Sequence, residues 1–202
     1  SFPYEISGTL TSPAPAYLST TRDKAVKLDP EMHAAFHTMV AKGLFACKRA
    51  RPDIQLSIAF LSTRVREPDE DDWKKLIKLL KYLNGTRKLA LKLSADNMSV
   101  LKWYVDASFT VHPDCRGHTG GVLTLGGGAA YSTSTKQKLN AKSSTESELI
   151  GVDDVLPQIL WTNYFMEKQG IELTNTILYQ DNKSTILLVN NGKASLTCDI
   201  FL

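Results

Sequence analysis

Long apolar runs are missing from this chain: no stretch of about 18 uninterrupted apolar residues occurs, so no membrane-spanning helix and no membrane partner are expected. Cysteine is scarce. Cys47, Cys115 and Cys198 lie far apart without C-x-x-C spacing, so neither a zinc framework nor a set of disulfides is expected, and a reducing intracellular compartment fits best. An initiating Met is lacking, and the opening SFPYEISGTL has neither the basic n-region nor the apolar h-region of a secretory signal. A fragment of a longer chain is the expectation. Charge of one sign is lacking too, because 24 Lys and Arg stand against 21 Asp and Glu. The resulting net charge of +3 does not by itself call for a nucleic-acid partner, although local clusters of Lys and Arg still count. What is present is an ordinary soluble balance, 43% hydrophobic and 22% charged, in 202 residues, enough for one large domain or two modest ones.

The texture changes near residue 95. Residues 1–30 carry Pro3, Pro13, Pro15 and Pro30 among Ser and Thr without a sustained apolar period, and read as an extended arm. Residues 31–95 read as a helical segment. Asp29 offers an N-cap with Pro30 in the first position, and PEMHAAFHTMVAKGLFACKRA places Met32, Phe36, Met39, Val40 and Phe45 on roughly one face. A second helix is expected from about Asp53 to about Val65, between Pro52 and Pro68. The third is the clearest. In PDEDDWKKLIKLLKYLNGT the acids Asp69 to Asp72 fill the first turn, Trp73, Leu76, Ile77, Leu80 and Leu83 form an apolar stripe, and Asn84 with Gly85 ends the helix. Lys74, Lys75, Lys78 and Lys81 lie off that stripe, as a solvated face or as a rail along phosphates.

Residues 96–202 read as β-rich. LKWYVDAS, HTGGVLTLGG and GAAYSTSTKQ are strand candidates separated by glycine turns, in an antiparallel meander. A long helix opens at Ser143 or Ser144 and runs to Gly170, kinked at Pro157, followed by the strand TILYQDN and the short helix KSTILLVNNG. The order β-β-β-α-β-α is that of an α/β layer sandwich with a mixed sheet. KASLTCDIFL is too short for a further strand plus helix, so the fold is expected to be cut off at its C-terminal edge.

Three carboxylates fall into comparable places. Asp106 ends the first strand, Asp181 ends TILYQD, and Glu148 lies in the opening turns of the intervening helix. If those two strands are neighbours, both aspartates emerge at one sheet edge and Glu148 can reach the same point. Each acid alone has a simpler reading, as a turn residue or a helix-dipole partner. Clustered, they would repel one another, and a hard divalent cation such as Mg²⁺ or Mn²⁺ offsets that repulsion. His112 and His118, which flank the turn after the first strand, read as loop residues.

YVDASFTVHPDCRGHTGGVLTLGGGA, KQKLNAKSSTESELIGV and ILYQDNKSTI closely resemble the ribonuclease H domain at the C-terminal end of copia-type retrotransposon Pol polyproteins. The preceding LDPEMHAAFHTMVAKGLFACKRARPDIQLSIAFLSTRVREPDEDDWKKLIKLLKYLNGTRKLAL resembles the thumb or connection segment that follows the polymerase active site in the same polyproteins. The likeness covers about Ala16 to Ser195. It implies a ribonuclease H-like mixed sheet with flanking helices, truncated at its C-terminal edge and preceded by a small helical subdomain. It further implies that Asp106, Glu148 and Asp181 are catalytic acids holding two Mg²⁺ or Mn²⁺ ions, Glu148 being the second acid of SSTESE. The implied chemistry is hydrolysis of the RNA strand of an RNA–DNA hybrid, with metals roughly 3.5–4 Å apart across the scissile phosphate.

Under the same resemblance Ser144 and Thr145 approach 2′-hydroxyls in the minor groove, or cap the helix, and Lys74, Lys75, Lys78 and Lys81 become contacts to phosphate. The implied partners are the hybrid and the remainder of the Pol polyprotein, in a cytoplasmic virus-like particle or the nucleus. The likeness ends at KAS: LTCDIFL does not continue the pattern, and Asp199 is the one residue there that could imitate the family's fourth acid. A polymerase motif is absent as well, since YVDA carries Ala107 where a second aspartate would stand. An enzyme impaired by a missing acid, or a binding remnant without catalysis, are the two outcomes that follow.

Overall fold

The computed structural model describes residues 6–22 and 24–191, together with the backbone of residues 199–201. The chain forms two compact units that divide between Leu91 and Lys92. Among the described residues no helix is long and apolar enough to cross a membrane.

The first unit contains α1 (Pro30–Arg49), a 3₁₀ turn (Pro52–Ile54), α2 (Gln55–Arg64) and α3 (Glu70–Gly85). Asp29 caps α1 by accepting the Met32 N–H at 2.8 Å, and Pro30 stands first in the helix, where a missing N–H costs nothing. The buried face of α1 runs through Phe36, Val40, Gly43 and Cys47. Phe45, expected on that face, is 69% exposed. At 100° per residue it stands half a turn away from Phe36. Asp69 and Asp72 form a capping box at the start of α3. The apolar face of this helix is turned by one residue from the expected stripe: Leu76, Leu79 and Tyr82 are buried, while Trp73, Leu80 and Leu83 pack at its margin. Among its described residues the arm before Pro30 forms no regular helix, and several of them pack onto the unit. Leu18 is buried in the helical core, Ser57 donates to the Pro13 carbonyl at 2.7 Å, and Asn84 donates to the Gly8 carbonyl at 3.2 Å.

The second unit is α/β. Its strands β2 (Val100–Ser108), β3 (His118–Thr124), β5 (Tyr131–Lys136), β6 (Asn175–Tyr179) and β7 (Asp199–Phe201) form one sheet in the order β5-β3-β2-β6-β7. The short strands β1 (Ser94–Ala95) and β4 (Gly126–Gly127) pair separately. β5, β3 and β2 are antiparallel, whereas β2, β6 and β7 are parallel, so the sheet is mixed with β2 at its centre. Helix α4 (Ser144–Lys168) makes the crossover from the antiparallel to the parallel half and continues through Pro157 without ending there. Helix α5 (Lys183–Asn191) follows β6. Alternation along β2 sends Leu101, Trp103 and Val105 into a core with Val152, Val155 and Ile159 of α4, and leaves Lys102, Tyr104 and Asp106 on the other side.

Of the further strand plus helix for which KASLTCDIFL is expected to be too short, residues 199–201 supply a strand, β7, whose backbone pairs with β6. Its register also moves Asp199 away from the acids. Asp199 lies beside Ile177, four residues before Asp181, or roughly 13 Å along the strand at about 3.3 Å per residue.

Candidate metal centre

Strand pairing brings the two aspartates together. β2 and β6 run parallel with Tyr104 opposite Tyr179, so positions 106 and 181, each two residues further on, leave the sheet at the same end. The two tyrosine rings stack at 4.6 Å between centroids with 13° between their planes, directly behind the acids. Glu148 arrives from the first turns of α4. That helix is capped by Ser143, whose hydroxyl accepts the Glu146 N–H at 3.1 Å, while the Glu146 carboxylate accepts the Lys142 N–H at 2.7 Å. Glu146 is thus engaged in the helix start, and Glu148, 7% exposed, faces the sheet. Oxygens of Asp106, Glu148 and Asp181 lie within 4.8 Å of one another, the only such grouping of three among the described residues.

Glu148 sits where it does because α4 comes close to β2. A methyl group at Gly151 would stand 3.1 Å from Ala107 Cβ and 3.6 Å from Val105 Cγ1. Gly151→Ala is expected to be near neutral, since a gain of about 1 kcal/mol in helix propensity offsets a contact tight by a few tenths of an ångström. Gly151→Val has no such room and is expected to lose about 1–3 kcal/mol by overpacking, which paired urea melts of the two variants would measure.

A buried polar cluster fixes the same end of α4. Gln137 donates to the Ser147 carbonyl at 2.8 Å and to Thr119 Oγ1 at 3.1 Å, and accepts the Ser147 hydroxyl at 3.1 Å. Thr119 in turn donates to Asp154 at 2.8 Å. Burial pushes the Glu148 carboxyl above its ordinary value. Hydrogen bonds from Gln180 and the Ala107 N–H oppose that push, and the charges of Asp106 and Asp181 add to it. Gln180 was not singled out in the sequence. The available signal was its place in β-alternation, because Thr176, Leu178 and Gln180 all point inward and a polar residue in such a position requires partners.

Over 78% of its length the chain is 29% identical to the Retrovirus-related Pol polyprotein from transposon TNT 1-94 of Nicotiana tabacum, and over 70% it is 31% identical to that from transposon RE2 of Arabidopsis thaliana. The chain belongs to the copia-type retrotransposon Pol polyproteins. This Pol segment spans 12% and 10% of the length of those two relatives. It is also 30% identical, over 55% of its residues and 79% of the relative's, to Secreted RxLR effector protein 161 of Plasmopara viticola. No family model matches the Pol segment, and no solved structure matches it.

The remaining expected contacts of the Pol segment divide. Ser144 and Thr145 occupy the first turn of α4, exposed and half-buried, and neither is the cap. The Thr145 carbonyl accepts the Thr185 hydroxyl of α5 at 3.2 Å. In the helical unit Lys74 is exposed, 3.5 Å from Asp71, and Lys81 is half-buried. Lys78 donates to the Tyr17 hydroxyl and lies 4.5 Å from that ring's centroid. Lys75 is no surface contact at all. It is 1% exposed and donates to the Thr20 carbonyl at 2.6 Å, because the one-residue turn of the α3 face carries it inward. His112 lies in the loop between β2 and β3 as expected, whereas His118 opens β3, and both are buried. His112 Nε2 lies 3.0 Å from His118 Nδ1, and His118 Nε2 lies 2.7 Å from Ser134 Oγ.

Proposed function

We propose that this Pol segment carries a ribonuclease H site, on a ribonuclease H-like fold, that hydrolyses the RNA strand of RNA–DNA hybrids with Mg²⁺ or Mn²⁺. The observation that carries this reading is the convergence of Asp106, Glu148 and Asp181 within 4.8 Å at the end of two parallel strands. The donor set fits such a cation. It is all oxygen, and two of the three acids are exposed, leaving room for water and phosphate. Bound cations would supply an activated water and offset the charge on the scissile phosphate. Asp106 and Asp181 hold the open side of the site, and Glu148, fixed by Ala107 and Gln180, holds the buried side. The hydroxyls of Ser144 and Thr145, one turn before Glu148, are the proposed contacts to the 2′-hydroxyls that distinguish RNA. Lys74 and Lys81, on a thumb or connection-like helical unit, are the proposed contacts to phosphate. The rest of the polyprotein would supply the polymerase whose product is the hybrid.

The test is cleavage of a hybrid labelled on its RNA strand. Mg²⁺-dependent cleavage is expected, with loss in Asp106→Asn at an unchanged melting temperature. A cooperatively folded sample that leaves the hybrid intact would overturn the reading. Hybrid binding that persists without metal and weakens steeply with salt would instead identify a binding remnant.

A further inference from the structure

We infer that Gln180 is a positioning residue: its carboxamide presets Glu148 for cation binding and ties that acid to the start of α5. The inference rests on the metal-site reading of the three acids. Gln180 is 2% exposed, and both ends of its side chain are engaged. Nε2 donates to Glu148 Oε2 at 3.1 Å, and Oε1 accepts the Asn182 N–H at 3.0 Å. The two ends cannot exchange. A reversed carboxamide would set an NH₂ against the Asn182 N–H and a carbonyl oxygen against the Glu148 carboxylate. One Glu148 oxygen is therefore held from the β6 side while the Ala107 N–H holds the carboxylate from the β2 side.

The same hydrogen bond acts on Asp181. This residue lies between Gln180 and Asn182, so the link from Gln180 Oε1 to the Asn182 N–H closes a small ring around it. Asn182 is itself fixed, accepting the Thr185 N–H at 3.0 Å on its side chain and the Ile186 N–H at 3.1 Å on its carbonyl. Gln180 thus joins two of the three acids, contributed by α4 and the end of β6, to the capped start of α5. A carboxylate at this position would bring a fourth negative charge to the cluster, and an apolar residue would take one of the two donors from the buried Glu148 and the acceptor from the Asn182 N–H. A neutral donor and acceptor of this length meets both needs.

Cation binding, measured apart from cleavage, tests the inference. Mn²⁺ would be titrated into the wild-type protein, Gln180→Met, Ile159→Val and Asp106→Asn, with free ion followed by electron paramagnetic resonance. Asp106→Asn is expected to abolish binding, and Gln180→Met to weaken it about tenfold or more, as loss of a partner behind a metal ligand does. Ile159→Val, which loosens the same core away from the acids, is expected to keep wild-type affinity. Equal affinities in wild type and Gln180→Met would overturn the inference alone, as would equal losses in Gln180→Met and Ile159→Val. No binding by the wild-type protein would overturn the metal-site reading and this inference with it. Should Gln180→Met fail to fold, the wild-type protein carries the test through its Gln180 side-chain amide resonances. These are expected to shift on adding Mg²⁺ and to stay still in Asp106→Asn; resonances unmoved by Mg²⁺ in a wild-type protein that binds Mn²⁺ would overturn the role assigned to Gln180.

Discussion

Lys75→Glu is expected to lower the melting temperature of the helical unit by more than about 10 °C, a loss of roughly 3–5 kcal/mol, while Lys74→Glu leaves it within a few degrees. The two lysines are adjacent in sequence and opposite in setting. Lys74 is exposed beside Asp71, where water screens any charge placed there. Lys75 is enclosed, with its Nζ 4.6 Å from the Phe60 ring centroid and 3.9 Å from Asp72 Oδ1. Burial draws its ammonium below the ordinary value, and the charges of Asp72 and Asp69 oppose that draw. Arg64 already serves both aspartates, at 2.9 Å from Asp72 and 3.1 Å from Asp69. A glutamate at position 75 would add a third buried anion to a group balanced by one guanidinium, and no rearrangement of a short side chain could bring it to water. Lys75→Met should cost about 1–3 kcal/mol, less than the glutamate, because it keeps the apolar stem and leaves Asp72 Oδ2 with Arg64, while the Thr20 carbonyl loses its donor and Asp72 Oδ1 loses its nearby ammonium. Thermal melts followed by circular dichroism check all three variants. A Lys75→Glu protein that melts like Lys74→Glu would return Lys75 to the surface.

The inward setting of Lys75, alone among the four lysines in being buried, has a physical origin. In KKLIKLLKYL apolar residues stand at 76, 77, 79, 80, 82 and 83, which covers most of two turns and defines a broad face rather than a stripe. Which edge of that face goes inward is decided by partners distant in sequence, Arg64 and the arm around Thr20, and no local pattern contains them. The acids were easier to place, because each stands on a regular element whose end is marked nearby. Ser143 caps α4 in front of Glu148, and paired strands carry Asp106 and Asp181 to one edge. Their supports were not legible. Gln137 and Gln180 are polar residues whose importance comes from long-range partners, Ser147 and Thr119 for one and Glu148 for the other. Phe45 is apolar yet stands half a turn from Phe36, and β7 needs three residues where a strand plus helix needs many more.

Acidification from about pH 7.5 to about pH 4.5 is expected to cost the sheet unit roughly 2–3 kcal/mol through His118, a cost that His118→Gln should remove. Burial, with the charge of His112 adding to it, pushes the His118 imidazole from its ordinary 6.5 down to about 4. The sign follows from where the proton goes. Below pH 6.5 the unfolded chain takes up a proton that the folded chain refuses until about pH 4, so stability is fully present above the unfolded value and declines as pH falls through that window. His112 adds in the same direction, lowered by burial and by Lys136, with Asp114 opposing. Asp114 stays ionised across the window. Against the upward push of its own burial, Lys136 at 2.6 Å holds its carboxyl below the ordinary value. Glu148 contributes with the opposite sign, because a carboxyl raised by burial keeps its proton in the folded state at a pH where the unfolded chain has released it. The wild-type profile alone therefore mixes both effects, and the difference between wild type and His118→Gln isolates the histidine. Burial resists the first proton, and geometry resists a second. The His112 and His118 rings share one contact of 3.0 Å, which accepts one donor and one acceptor; with both rings charged, N–H would face N–H beside Lys136. Urea midpoints measured across the window should fall more steeply for the wild-type protein than for His118→Gln, and parallel curves would mean that the pair already admits water.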